Sequence, residues 1–136
     1  MDFKVKPVIC LDFDGVLHSY KSGWRGANII PDPPVLGALE FLREAVKNFT
    51  VCIFSSRSNQ DGGRTAMQEW LGRYSVDPEH GLPHDADLSF LGDIEWPTEK
   101  PPAHVTLDDR ALTFTGVWPD MAILRSFRPW NKKEPT

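Results

Sequence analysis

Three short apolar runs, 8–11, 50–54 and 104–107, punctuate an otherwise mixed chain, and each stops abruptly at polar residues. The first two, apolar at nearly every position, predict strands buried on both faces, as in a parallel sheet. Between them Val35, Leu39, Leu42 and Val46 recur at helical spacing, behind Asp32-Pro33-Pro34, which suits an N-cap and a first turn tolerant of proline. That helix is expected to end at Asn48. A second helix follows Asp61-Gly62-Gly63, with Met67, Trp70, Leu71 and Tyr74 on one face. Residues 19–31 read as a loop or short hairpin. Residues 76–99, broken by prolines, read mostly as loop with short extended pieces over 88–91 and 94–96. The run 104–107 predicts the next strand, 112–115 one more short strand, and 121–127 a short helix. Strands alternating with helices predict an α/β fold: a single three-layer domain over 1–136, its sheet mostly parallel and Rossmann-like. The last residues, from about 129, are expected to form a loose tail.

Where the first run ends, the chain reads Asp12-Phe13-Asp14-Gly15. In an open α/β sheet, ligands bind just beyond the carboxyl ends of the strands. Positions i and i+2 of a strand face the same side, so both carboxylates enter that crevice. Two carboxylates so close repel unless a cation neutralises them, and hard oxygen donors point to magnesium. A calcium loop does not fit, because Gly15, Val16 and Leu17 stand where further donors are needed, and position twelve counted from Asp12 is Gly23, not Glu.

Composition narrows the class. With 40% hydrophobic and 25% charged residues, the chain has the balance of a globular domain. No apolar run approaches the length of a bilayer span, and no signal-peptide pattern opens it, so no membrane partner is expected. Cys10 and Cys52 each sit in a strand-like run, which suggests buried free thiols in a reducing, cytoplasmic setting. A net charge of −4 gives no global attraction to nucleic acid. Locally, Arg125, Arg128, Lys132 and Lys133 flank Trp130; this reads as a solvated terminal segment, although nucleic acid remains a candidate partner.

Four polar elements follow in order: Asp12 and Asp14, Ser55, Lys100, then Asp108 and Asp109. This order resembles the haloacid dehalogenase-like (HAD) superfamily. Its first motif, four apolar residues and Asp-x-Asp-Gly, matches 8–17. Its second, a Ser or Thr after the next buried strand, matches 51–55. Its Lys ahead of the last core strand matches Lys100-Pro101, and its closing acidic pair matches 105–109. The resemblance covers nearly the whole chain. It implies a magnesium-dependent phosphatase with Asp12 as nucleophile, forming an aspartyl phosphate, and Asp14 as general acid and base. Magnesium would be held by Asp12, the main-chain carbonyl of Asp14 and Asp109, with Asp108 in support. Ser55, with Ser56 as an equally placed rival, would bind a phosphoryl oxygen, and Lys100 would neutralise Asp12 and the transferring group. His18, Tyr20, Trp24, Arg25 and Arg57 are candidates for substrate contact by position. The receiver domain of response regulators uses similar groups, but there the acidic pair comes first; here Asp108-Asp109 follows Lys100.

Members of that superfamily commonly carry a cap domain in one of two gaps. Here 40 residues separate Asp14 from Ser55, and 44 separate Ser55 from Lys100. The expected helices and strands leave no room for a folded cap in either. A site without a lid cannot enclose a small substrate. The resemblance implies phosphate at the end of something large, such as nucleic acid or protein, or a lid lent by partner subunits, with small sugar or nucleotide phosphates held by loops alone as the alternative. A different class of reading is a non-catalytic binding domain that keeps the fold; the complete set of Asp12, Asp14, Ser55, Lys100 and Asp109 favours the enzyme.

Overall fold

A computed structural model describes residues 6–132. Strand β1 (Val8–Leu11) lies at the centre of a three-stranded sheet, with β2 (Thr50–Ile53) on one side and β3 (Val105–Leu107) on the other, all parallel. Ile9, Cys10 and Leu11 pair with Val51, Cys52 and Ile53, and also with β3. A central parallel strand is covered on both faces, and these three residues are accordingly buried. The expected α/β class is met. Both cysteines are buried and unpaired. Among the described residues, no helix is long and apolar enough to cross a membrane.

Helix α1 (Ala38–Asn48) buries Leu39, Leu42 and Ala45, and α2 (Gly63–Ser75) buries Met67, Trp70 and Leu71, in one core with β1 and β2. The start of α1 differs from expectation. Asp32 is not its N-cap, because its carboxylate is already engaged by the Ser22 backbone N–H (2.7 Å) and hydroxyl (2.6 Å). The helix begins six residues later, after Gly37, whose φ of 84° turns the chain as few side chains allow. The start of α2 is constrained differently. A Cβ on Gly63 would collide with the Arg57 carbonyl, so glycine lets the helix pack directly on the loop that follows β2.

Three further expectations are corrected. Residues 88–91 are not extended: Ser89–Asp93 forms a short 3-10 helix that buries Phe90. Of the piece 94–96, only Glu95 pairs, exchanging backbone hydrogen bonds of 2.9 Å with Val51 and Ile53 on the outer edge of β2. The strand expected over 112–115 does not form; no strand among the described residues pairs with it, and Leu112 and Phe114 are more than half exposed. Helix α3 (Met121–Ser126) does form, but buries no residue. β3 is thus the sheet edge, and Val105 and Leu107 are accessible there. Residues 129–132 are held: Pro129 is buried, Trp130 Nε1–H donates to the Gly15 carbonyl (2.8 Å), and the Asn131 amide donates to the Ser19 carbonyl (3.1 Å). Residues 133–136 of the expected loose tail, Lys133 among them, lie outside the described part.

Candidate active site

The carboxyl ends of all three strands open into one pocket of about 420 Å³, lined by Asp12, Asp14, Ser55, Ser56, Lys100, Asp108 and Asp109. Parallel pairing accounts for this convergence. The Asp12 N–H donates to the Leu107 carbonyl (3.0 Å), which carries the β1–β3 ladder up to the site and brings Asp108 and Asp109 beside Asp12. Beyond Asp12 the chain turns within one step: the N–H groups of Leu17 and His18 both donate to the Phe13 carbonyl at 3.0 Å, and Gly15 N–H donates to the His18 carbonyl at 2.8 Å. Gly15 has φ 84°, and a Cβ there would run into the Asp109 carboxylate. Glycine is needed twice over, for the turn and for the close approach of an acidic side chain.

Asp12, Asp108 and Asp109 each offer an oxygen within 4.8 Å of the others. Burial pushes the Asp12 carboxyl up to about 7, and the charges of Asp108 and Asp109 add to the rise against the opposing Phe13 N–H. Burial raises Asp109 as well. Asp109 Oδ1 is buried without a hydrogen-bond partner among the described residues. A half-buried cluster of carboxylates with an unsatisfied oxygen fits a hard divalent cation, whose charge and open coordination positions would satisfy both deficits. Arg110, whose Nε is 3.9 Å from Asp109 Oδ2, is 58% exposed and too far into solvent to replace it.

In metal-free protein the raised Asp12 has a consequence for stability. Between about pH 4 and 7 the folded state holds a proton that the unfolded chain releases, so this group's contribution falls as pH rises through that window. In EDTA, Asp12→Asn should therefore gain stability over wild type as pH rises, by at most about 4 kcal/mol, and level off above pH 7. Thermal melts of the pair across pH 4–8 check this; a constant difference at all pH values would contradict it.

Asp14 faces the same pocket, but its carboxylate is held from behind. Arg57 Nε donates to both of its oxygens (3.0 and 3.2 Å), and His18 Nδ1 lies 2.9 Å from Oδ1. His18 Nε2 accepts the Asp32 backbone N–H (3.1 Å), which leaves the ring proton on Nδ1, directed at Asp14. The ring is fully buried, stacked on Phe13 and edge-on to Trp70. Arg57 is fully buried too; its Nη1 donates to the carbonyls of Gly26, Ala27 and Ile29 (2.8–3.2 Å), and its guanidinium lies 4.7 Å from the Trp24 ring centroid.

The structure gives His18, Trp24 and Arg57, candidates for substrate contact by position, partners within the protein. Arg57 and His18 orient Asp14 and tie it to the 19–31 loop, and Trp24 covers the arginine. Arg25 donates to the Ser22 carbonyl (3.3 Å). Tyr20 does line the pocket. It has a φ of 60°, a strained value for a residue with a side chain. The sequence offered two weak signals for the Asp14 supports: His18 stands four residues after Asp14, and Arg57 two after Ser55.

Ser55 is buried and its hydroxyl is in use, accepting the Arg57 N–H (2.9 Å) and donating to Met67 Sδ (3.7 Å); Ser56 is exposed. Both line the pocket. Lys100 lines it as well, exposed and without an ion pair to any carboxylate among the described residues. No family model, curated protein or solved structure matches the chain.

Proposed function

We propose that the chain is a magnesium-dependent phosphomonoesterase that works through an aspartyl phosphate on Asp12, a capless relative of the HAD phosphatases on a three-layer, Rossmann-like frame. The observation that carries this reading is the Asp12–Asp108–Asp109 cluster with its orphaned Asp109 oxygen, at the open end of a parallel sheet.

Asp12 attacks the phosphorus in line with the ester oxygen; the P–O bond to the leaving group breaks and Asp12 carries the phosphoryl group. Asp14, paired with Arg57 in the free protein, must first take up a proton; it gives that proton to the departing alkoxide, then takes one from the water that cleaves the acyl phosphate. Arg57 and His18 keep Asp14 aimed at that oxygen. Lys100, without an ion pair among the described residues, closes on the phosphoryl oxygens once they arrive, and Ser56 or the backbone near Ser55 donates to them. Asp12, Asp109, Asp108 and the Asp14 main-chain carbonyl would hold magnesium, which supplies positive charge to neutralise the phosphoryl oxygens.

Among the described residues no cap encloses the pocket, so this reading sets no upper limit on substrate size: any phosphate monoester able to present its phosphoryl group to the strand ends qualifies. The two unpaired buried thiols favour a reducing cytoplasmic setting. Turnover of an aryl phosphate tests the reading: magnesium should support it and EDTA should abolish it. Unchanged turnover in EDTA would overturn it. Tight binding of a phosphate mimic without any turnover would favour the non-catalytic binding domain.

A further inference from the structure

We infer that Trp130, in the C-terminal strap, is a positioning residue for the metal site. The inference rests on the phosphatase reading, because it concerns how Asp109 and the Asp14–Gly15 turn are held for a cation.

Gly15 is the meeting point. Its N–H donates to the His18 carbonyl (2.8 Å), and its carbonyl accepts Trp130 Nε1–H (2.8 Å). The Asp109 carboxylate lies where a side chain on Gly15 would be. One glycine therefore contacts the turn that bears Asp14, the acidic pair after β3, and the tail. Trp130 comes from 115 residues further along the chain, and its bond is reinforced on either side. Pro129 is buried, the Asn131 amide donates to the Ser19 carbonyl (3.1 Å), and Lys132 Nζ lies 5.4 Å from the Tyr20 ring centroid.

The tail thus straps the segment 15–20. Between Asp109 and Pro129 the chain makes an excursion in which nearly every residue is exposed, so packing there does little to fix the strap. The indole bond fixes the Gly15 carbonyl, and with it the surface on which Asp109 rests. Groups that orient metal ligands without touching the metal typically change affinity by 10- to 100-fold when removed. Trp130→Phe keeps most of the ring and loses only the donor.

The test is magnesium binding without substrate, by calorimetry and by the metal-induced shift in melting temperature. Wild type, Trp130→Phe, Asn131→Ala and Asp109→Asn are compared, with Trp118→Phe, an exposed residue of the excursion, as control. Trp130→Phe should weaken magnesium about tenfold, and its metal-induced shift should shrink while its metal-free melting temperature changes little. Asn131→Ala should move the same way by less, and Trp118→Phe should match wild type. A purely structural strap would lower the metal-free melting temperature and leave magnesium affinity unchanged; that result overturns the inference and leaves the phosphatase reading standing. If wild type and Asp109→Asn respond identically to magnesium, the reading itself fails, and the inference with it.

Discussion

Arg57→Ala is expected to lower the melting temperature by about 10–20 °C or to prevent folding. The guanidinium is fully buried, bonds both oxygens of Asp14, and gathers the carbonyls of Gly26, Ala27 and Ile29. Removing one partner of a buried ion pair typically costs about 3–5 kcal/mol, because the remaining charge is left uncompensated. In a domain of this size that corresponds to the shift stated. Here three carbonyls lose their donor as well. Arg57→Lys should recover only part of the loss, since a single ammonium on a flexible stem cannot span Asp14 and the loop carbonyls together. Calorimetry of the three proteins measures this; a shift of less than about 3 °C for the alanine variant would mean that the loop 19–31 is held by other contacts.

The second large effect is chemical. Asp12→Asn should abolish covalent phosphorylation and lower turnover by at least about three orders of magnitude, the scale on which losing a nucleophile is felt. An amide cannot attack phosphorus at a useful rate, and it supplies one fewer charge to the acidic cluster. Stability should not fall with activity. At pH 8 in EDTA the variant should be the more stable protein, because burial and two neighbouring carboxylates oppose the charge on Asp12. Greater stability together with lost turnover would distinguish a functional carboxylate from a structural one.

What was legible in the sequence was the pattern carried by short, uninterrupted segments. Val8–Leu11 and the run 51–54 announce themselves by unbroken apolar character, and the carboxylates at 12, 14, 108 and 109 follow from where such strands end. The start of α1 was misplaced because Asp32-Pro33-Pro34 has the local chemistry of a cap while its carboxylate is claimed by Ser22, ten residues upstream. The strand expected over 112–115 failed for the opposite reason: its residues suit a strand, but the segment stays exposed and does not dock on the edge of β3. The burial of Arg57 and His18 behind Asp14 was not legible, because local sequence does not reveal that the 19–31 loop folds back over the arginine. The strap was equally hidden, since nothing near Trp130 signals a contact with Gly15.

The most direct test of the phosphatase account is to trap the phosphoenzyme. Wild-type protein turning over an aryl phosphate in magnesium is quenched with borohydride, which reduces an acyl phosphate to an alcohol, and the peptide containing residues 8–17 is read by mass spectrometry. The account predicts reduction at Asp12, dependent on magnesium and on substrate, and absent in Asp12→Asn. Reduction at another carboxylate, or turnover that persists in Asp12→Asn, would contradict it.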